Sequence, residues 1–572
     1  MKKLAMLTVK GAVGLVPKVV RNKLKSNHKL TEFYSRSLQR SGLFYGFPSE
    51  KKRMSLYSTY LKYQDAFLQK HQPITVPLAD FEVIVIGQKK LAFTIDSLKR
   101  AGIKQQGIRV VSQEKTDIDV ECHPSLVSAA SSIPNDALVL LLNSGDLVTQ
   151  QSLQMFLKCN NSAELSYCDT DKIDSKGRKV SPHFLPDWNP DLQFSSAYVF
   201  TAVLCKAEKL NKSALISSTI AGLITELWLK EPSLSINHVP YTLIHRADNK
   251  EWQVQGVIDV GKVLKNLSKA EPAFNEELGV NSVQWPINAE PFVSLIIPTK
   301  NGKALVKACI ESILGKTLYQ NFEILLIDNG SDERESLDYF QDIDKHPKIR
   351  VLRYPGEFNY SAINNFGVQH ACTSSSVVGL INNDIEVISP YWLSNMVGHA
   401  IREDIGCVGA KLLYSDGRIQ HAGVVLGYGG GAGHAHKYFP RYHPGYLKRL
   451  IATQNYSAVT AACLLVKKSL FVEVNGLNEN ELTVAFNDVD FCLKVKEAGF
   501  RNVYCAEAEL YHHESVSRGL DHAPEKAARF NRELSYLKEQ WGAYIKYDPA
   551  YSPNLTLLRE NFSYKTEDEI SI

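Results

Sequence analysis

Asp488 and Asp490 stand two residues apart in AFNDVDFCLKVKEAGF, an apolar-polar run that reads as a helix start with Gly499 as its stop. On a helix this spacing turns the two carboxylates about 200° apart, so only one of them can face a given site. The other suits the helix N-terminus, where negative charge is favoured. A carboxylate aimed at a cleft can take a proton from a hydroxyl. Further on, ELYHHESVSRG supplies His512 and His513, either of which could ligate a metal as a neutral imidazole. Such a pair also packs commonly in cores and on surfaces. Upstream, VVGLINNDIEV runs directly into Asn382, Asn383 and Asp384. Oxygen ligands at a strand end suit Mg²⁺ or Mn²⁺, which would bridge the phosphates of a nucleotide. The same residues could equally form a capping turn before SPYWLSNMV, where Ser389 is an adequate cap. Earlier still, VSLIIPTKNG offers Pro298, Thr299 and Asn301, and EILLIDNGSDE ends on Asp328. A carboxylate there can accept hydrogen bonds from a ribose hydroxyl or a base N–H, although DNGSD also reads as a simple turn.

All four places follow the same kind of element. FVSLIIPT, FEILLID, IRVLRYP and SVVGLIN are short, continuously apolar runs separated by helical patterns. That alternation predicts a mostly parallel sheet covered on both faces, with ligands outside the carboxyl ends of its strands. Residues 80–250 repeat the pattern: FEVIVIGQ matches FVSLIIPT, IRVVS matches ILLID, and ALVLLLNSGDLVTQQSLQMFL matches SVVGLINNDIEVISPYWLSNMV. LITELWLK matches DVDFCLKV, and TLIHRA loosely matches ELYHHE. The shared order predicts two copies of one α/β unit. The chain then divides into a basic, helical N-terminal region (1–79), a first copy (80–250), a helical linker (251–291), a second copy (292–519) and a helical and extended tail (520–572).

A length of 572 residues fits two to four domains, and 44% hydrophobic with 22% charged residues is an ordinary globular balance. The net charge of +4 is too small to argue for a nucleic-acid partner. Ten cysteines are scattered singly without metal-binding spacing, which predicts reduced thiols in the cytoplasm. No run of about 18 apolar residues is present to span a membrane. The first 30 residues, with eight basic and no acidic side chains interleaved with Leu and Val, fit a segment lying on an anionic membrane surface. The expected location is cytoplasmic and peripheral, at the inner face of the cell membrane.

From 292 to 519 the chain closely resembles the family-2 inverting glycosyltransferases of bacterial surface-polysaccharide synthesis, in the subgroup of O-antigen and rhamnan-type enzymes. The resemblance is carried by FNYSAINNFGV, VGAKLLYSDGRIQHAGVVLG, GGAGHAHK, NYSAVTAACLLV, FNDVDFCLKV and YHHESVSRG. It implies two GT-A-like (nucleotide-diphospho-sugar transferase) α/β domains, the first degenerate. By the resemblance, Pro298, Thr299 and Asp328 hold the nucleotide, with Asn301 and Asn383 beside them. Asp384 takes the metal place of the family's DxD motif, with Asn382 where its first Asp often stands, so metal binding leans on His512. Asp488 falls at the general-base position, with Asn487 in place of the family's usual Glu. The implied reaction moves a sugar from a dTDP- or UDP-sugar to a hydroxyl of a polyprenyl-linked saccharide acceptor with Mg²⁺ or Mn²⁺.

YCDTDKIDSKGRK and HFLPDWNPDL resemble the first copy of longer tandem members. There Gly87 and Gln88 replace the Pro-Thr pair, Ser112 stands at the nucleotide aspartate, and Ile224 and Glu226 at the two acidic helix positions. Asp169, Asp171 and Asp174 are expected to be structural, and the copy a scaffold or acceptor-binding unit. Two other functions compete. A processive synthase would need spanning helices and a QxxRW motif. A non-catalytic sugar-nucleotide-binding scaffold would not need Asp328, Asp384, Asp488 and His512 together.

Overall fold

A computed structural model of the chain describes residues 48, 50–70, 78, 81–114, 117–160, 163–211, 215–247, 250–513 and 524–570. The basic segment within residues 1–30 and the ESVSRG stretch after His513 lie outside the described residues.

The first unit contains strands β1 (Glu82–Ile86), β2 (Ile108–Val111), β3 (Glu121–His123), β4 (Leu138–Asn143) and β5 (Asp146–Leu147). It continues with β6 (Leu165–Ile173), β7 (Lys179–His183), β8 (Val203–Lys206) and β9 (Ile236–Ala247). A hairpin, β10 (Glu271–Asn275) and β11 (Val280–Gln284), precedes the second unit. That unit opens with β12 (Phe292–Thr299), β13 (Phe322–Asp328), β14 (Ile349–Arg353), β15 (Ser375–Ile381) and β16 (Ile385–Val387). It goes on through β17 (Ile405–Leu413), β18 (Ile419–His421), β19 (Val424–Leu426), β20 (Ala432–His434), β21 (Gln454–Tyr456), β22 (Cys463–Lys467) and β23 (Arg501–His512).

The strand orders are β3-β2-β1-β4-β8-β6-β9-β5 and β14-β13-β12-β15-β22-β17-β23-β16. The two lists are the same topology, strand for strand. In each, the first four strands are parallel, β8 or β22 is antiparallel to both neighbours, and the next pair, β6·β9 or β17·β23, is parallel again. Even the side strands correspond, β7 on β6 and β18 on β17. The duplication expected from the sequence is therefore present, in an α/β fold with two sheet-bearing GT-A-like units.

The apolar runs explain this arrangement. Leu295, Ile297, Ile324 and Leu326 turn to one face of the second sheet, packed with Trp392 and Met396, while Ile296, Leu325 and Leu380 turn to the other. Each fully buried aliphatic side chain contributes about 1.5–3 kcal/mol. On the second face the helix Tyr360–Gln369 lies so close that a Cβ on Gly367 would come within 2.4 Å of Ile296. Glycine there lets the helix bring Tyr360 over the ends of the strands.

The segment 251–291 is not a linker. Lys250–Leu267 is a helix packed into the first unit through Val257, Val260 and Leu264, and Asn281 of the following hairpin donates to the carbonyls of Phe194 and Val257. The two units dock through HFLPDWNPDL. Asn189 and Asp191 bond Asn455 on β21, the Phe184 backbone bonds the Tyr446 hydroxyl, and Arg402 reaches Asp191 at 2.5 Å. Trp285 stacks on the same guanidinium at 4.1 Å. From the N-terminal side, helix Glu50–Lys70 sends the Tyr57 hydroxyl to Asp171, and from the tail Asn554 reaches Asp169. Asp169 also binds His238, Asp171 binds His245, and Asp174 closes a turn with Arg178. All three acidic groups of YCDTDKID hold structure together.

Candidate active site

The carboxyl ends of β12, β13 and β15 set the nucleotide-side residues next to one another. Thr299 pairs across the sheet with Asp328, and Asn383 donates to the Thr299 hydroxyl at 3.0 Å. Asp328 is buried, with Arg353 on one oxygen at 2.5 Å and the Ser331 N–H on the other at 2.9 Å. A carboxylate has about four lone-pair sites, so acceptor capacity remains for a ribose or base donor. Asn301 has a different part. Its backbone is left-handed (φ 53°), its amide oxygen accepts the N–H groups of Asp332 and Glu333, and its amide nitrogen binds Asp332. It ties the β12 loop to the β13 loop and so shapes the cleft.

Asp384 follows β15 and pairs its strand β16 with the end of β23, where Ile385 faces His512. The Asp384 Oδ1 and His512 Nε2 atoms are 3.2 Å apart, and both side chains are largely buried. Two ligands about 2.1 Å from one cation at right angles are about 3 Å apart, so this edge fits Mg²⁺ or Mn²⁺. Asn382, at the place where the family's first Asp often stands, has its amide nitrogen 3.2 Å from the same His512 nitrogen, so its N–H occupies that lone pair when no cation is bound. His513 points elsewhere, to Ser415 and Glu386. Among the described residues no group of three or more His, Cys, Asp or Glu side chains gathers as a complete metal cage. A two-residue edge leaves the remaining positions to phosphate and water, as is usual for Mg²⁺.

Asp488 opens the helix Asn487–Glu497 directly after Phe486, which is held in a left-handed conformation (φ 60°). Its carboxylate accepts from the Ala461 and Val489 N–H groups at 3.2 and 2.9 Å. Burial pushes its pKa above the ordinary carboxylate value despite these bonds. Asp490 faces the other way and takes the Trp541 indole N–H at 2.9 Å. Glu533, on the helix Pro524–Lys546, accepts from Thr483, Val484 and Ala485 just ahead of Phe486 and clamps the entry to Asp488. The first unit has the same clamp, where Asp259 accepts from Ser218 and Thr219 before the helix Ile220–Lys230.

Tyr360 links the parts, and its one sign in the sequence is its place in FNYSAINNFGV. Its hydroxyl lies 3.0 Å from Asn382 Oδ1 and 3.2 Å from the Ala461 carbonyl, so it joins the metal edge to the residue that binds Asp488. Tyr360→Phe should slow transfer by about two- to tenfold, the worth of one hydrogen bond, with the loss in kcat. A kcat equal to that of the parent protein would remove Tyr360 from this role. Three histidines of the resembling blocks, His421, His434 and His436, differ in their surroundings. His421 is fully buried with its Nδ1 2.7 Å from that of His434, and His436 is buried under Phe562. Of the three, only His434 is partly exposed.

The profile described as Glycosyl transferase family 2 matches residues 294–473. The chain carries a family-2 glycosyltransferase domain. The uncharacterized protein y4gI of Sinorhizobium fredii is 40% identical over 490 residues, 81% of this chain and 53% of that protein. The O-antigen biosynthesis protein RfbC of Myxococcus xanthus is 33% identical over 412 residues, 69% of this chain and 31% of that protein. An N-acetylglucosaminyl-diphospho-decaprenol L-rhamnosyltransferase of Mycobacterium tuberculosis is 31% identical over 93 residues, 16% of this chain and 30% of that protein. The chain thus spans about half the length of the first relative and about a third of the second. Asp488 and His512 of the glycosyltransferase domain lie beyond the matched residues, so their places rest on the geometry above. No helix among the described residues is long and apolar enough to cross a membrane.

The first unit lacks these parts. Gly87 and Gln88 stand in place of the Pro298–Thr299 pair, and Gln88 donates to the Ser112 hydroxyl at 2.7 Å just past β2. The i,i+4 pair Glu226–Lys230 matches the pair Asp490–Lys494, in keeping with Ile224, which cannot take a proton, at the Asp488 place. Glu226 also caps the Ile216 and Ser217 N–H groups. Trp252 fills the nucleotide cleft itself: a Cβ on Gly87 would lie 2.5 Å from its ring, and its indole N–H reaches the Ser144 carbonyl.

Proposed function

We propose that the second unit is an inverting transferase that moves a sugar from a nucleoside-diphosphate donor to a hydroxyl of a growing surface polysaccharide. The observation that carries this is the Asp384–His512 edge joined through Asn382 and Tyr360 to Asp488, all at the strand ends of a family-2 domain. Thr299, Asp328 and Asn383 hold the nucleoside side of the donor. Asp488 accepts the proton of the acceptor hydroxyl as that oxygen bonds to the anomeric carbon. The nucleoside diphosphate leaves from the opposite face with the bonding electron pair, and the anomeric centre inverts. The elevated pKa of Asp488 makes it a stronger base than an exposed carboxylate. A bound Mg²⁺ or Mn²⁺, held by Asp384 and His512, supplies Lewis-acid stabilisation of the departing diphosphate. The donor is a dTDP- or UDP-sugar and the acceptor a polyprenyl-linked saccharide, met at the inner membrane face with help from the basic N-terminus. The plugged first unit serves as scaffold.

A thermal-shift screen of dTDP- and UDP-sugars with and without Mn²⁺ tests this. A ligand at about a hundred times its Kd adds about 2.7 kcal/mol of stability. The Mn²⁺-dependent part of the shift should vanish in Asp384→Asn. Stabilisation that is indifferent to metal, or identical in Asp384→Asn, would overturn the metal assignment. The absence of any stabilising sugar nucleotide would overturn the donor class.

A further inference from the structure

The partners of two histidines beside Asp488 fix where their protons sit. His421 ends β18 and His434 ends β20, and their Nδ1 atoms lie 2.7 Å apart. The other ring nitrogen of His421, Nε2, accepts the backbone N–H groups of Gly423 at 3.3 Å and Thr460 at 3.4 Å. A ring nitrogen that accepts carries no proton, so the His421 proton is on Nδ1 and is donated to His434. His434 Nδ1 is then the acceptor, and the proton of His434 is on Nε2. Among the described residues that Nε2–H has no hydrogen-bond partner, although the ring is only partly exposed. Burial and the charge of His512 push the His421 pKa down to about 3. His434 is held well below its ordinary value by burial, by His421, and by Lys437 and His512. Both rings are therefore neutral near pH 7, in agreement with the hydrogen bonds.

The pair stands on the wall that joins the two halves of the site. Thr460, which binds His421, is followed by Ala461, whose N–H holds Asp488 and whose carbonyl holds Tyr360. The Thr460 side chain is itself among the groups that stabilise the Asp488 carboxylate. The charge of His512 reaches both rings, which sets them toward the Asp384–His512 edge. A sugar nucleotide with its diphosphate at that edge and its anomeric carbon before Asp488 has its β-phosphate between the two.

We propose that His434 donates its Nε2–H to the β-phosphate of the sugar-nucleotide donor, and that His421 is the positioning residue that fixes this tautomer. The contact rests on the transfer reaction proposed above. A neutral donor already aimed at the leaving oxygen stabilises the charge that gathers there and needs no reorganisation at the moment of transfer. His434 keeps its proton throughout, so the proton balance of the reaction is unchanged. The Nδ1 bond leaves the ring a single tautomer, and the backbone N–H groups of Gly423 and Thr460 hold His421 in the matching one.

Calorimetric titration of the full chain in Mn²⁺ with UDP and dTDP, and with UMP and dTMP, tests this. His434→Ala and His434→Asn should bind the diphosphates about tenfold more weakly, as for a hydrogen bond to a charged group, with monophosphate affinity unchanged. In His434→Gln the amide nitrogen takes the Nε2 place, so diphosphate affinity should largely return. In ¹⁵N-histidine NMR spectra, the signals lost in His434→Gln should be those of a ring protonated at Nε2. A ring protonated at Nδ1, unchanged diphosphate affinity in His434→Ala, or an equal loss for monophosphates would overturn the contact and leave the transfer reaction standing. No binding of UDP or dTDP by the parent protein would overturn the donor class and the contact together.

Discussion

Replacing Asp488 with asparagine is expected to lower kcat by about 10²–10⁴-fold, the usual contribution of a positioned general base, with little change in KM for the donor. The variant should not be less stable. Because burial raises the Asp488 pKa, the native state holds this proton more tightly than the unfolded chain does. The associated stability is present below the ordinary carboxylate value and is lost as pH rises through the raised one. At neutral pH the ionised carboxylate therefore costs stability, and asparagine removes that cost, which offsets the loss of one acceptor, since its single amide oxygen serves only one of the Ala461 and Val489 N–H groups. In the parent protein, activity should fall as pH drops through the raised value, since a protonated Asp488 accepts nothing. Steady-state kinetics with a melting curve on the same sample reads both effects. Turnover by Asp488→Asn at the parent rate would sink the base assignment.

The second large effect is at the junction of the units. Asp191 is 1% exposed and lies between Arg402 at 2.5 Å and Arg501 at 3.8 Å. Burial alone would raise its pKa, but the two guanidinium groups outweigh it and hold the carboxyl far below the usual range. Asp191→Ala leaves the largely buried Arg402 side chain with only the more exposed Asp404 at 3.3 Å as a carboxylate partner, a change that costs up to about 3–5 kcal/mol. Its stability contribution is present above the ordinary carboxylate pKa and lost as pH falls through the acid range, so the gap between parent and variant should narrow in acid. Urea unfolding followed by fluorescence is expected to change from one transition to two as the units uncouple. A single transition at the parent midpoint would show that the units are held by other contacts.

Much of the fold was readable because its signals are local. Buried parallel strands are continuous apolar runs, and their repeated order disclosed the duplication. Asp384, Asp488 and Asp328 could be placed because each ends a strand or opens a helix. What escaped depended on contacts distant in sequence. Nothing near Trp252 says that its ring lies against Gly87 and Ser144. The Asn382 amide gains its part only when β23 brings His512 beside it. HFLPDWNPDL was legible as a motif, but its work as a dock for Asn455 and Arg402 belongs to tertiary structure. The part of Glu226 in the first copy, capping the Ile216 and Ser217 N–H groups, likewise depends on a fold that its place in LITELWLK does not show.

The acidic clamp bears on descent. Asp259 and Glu533 each lie on the helix after the last sheet strand, and each receives N–H groups just ahead of the helix that carries, or once carried, the base. A device shared at the same place in both units indicates that the duplicated gene segment already included this helix. The ancestor was then a complete transferase with its own clamp, and the first copy kept the brace after losing the group that the brace served. The first copy keeps the brace although Gly87 and Gln88 stand where the second copy has Pro298 and Thr299.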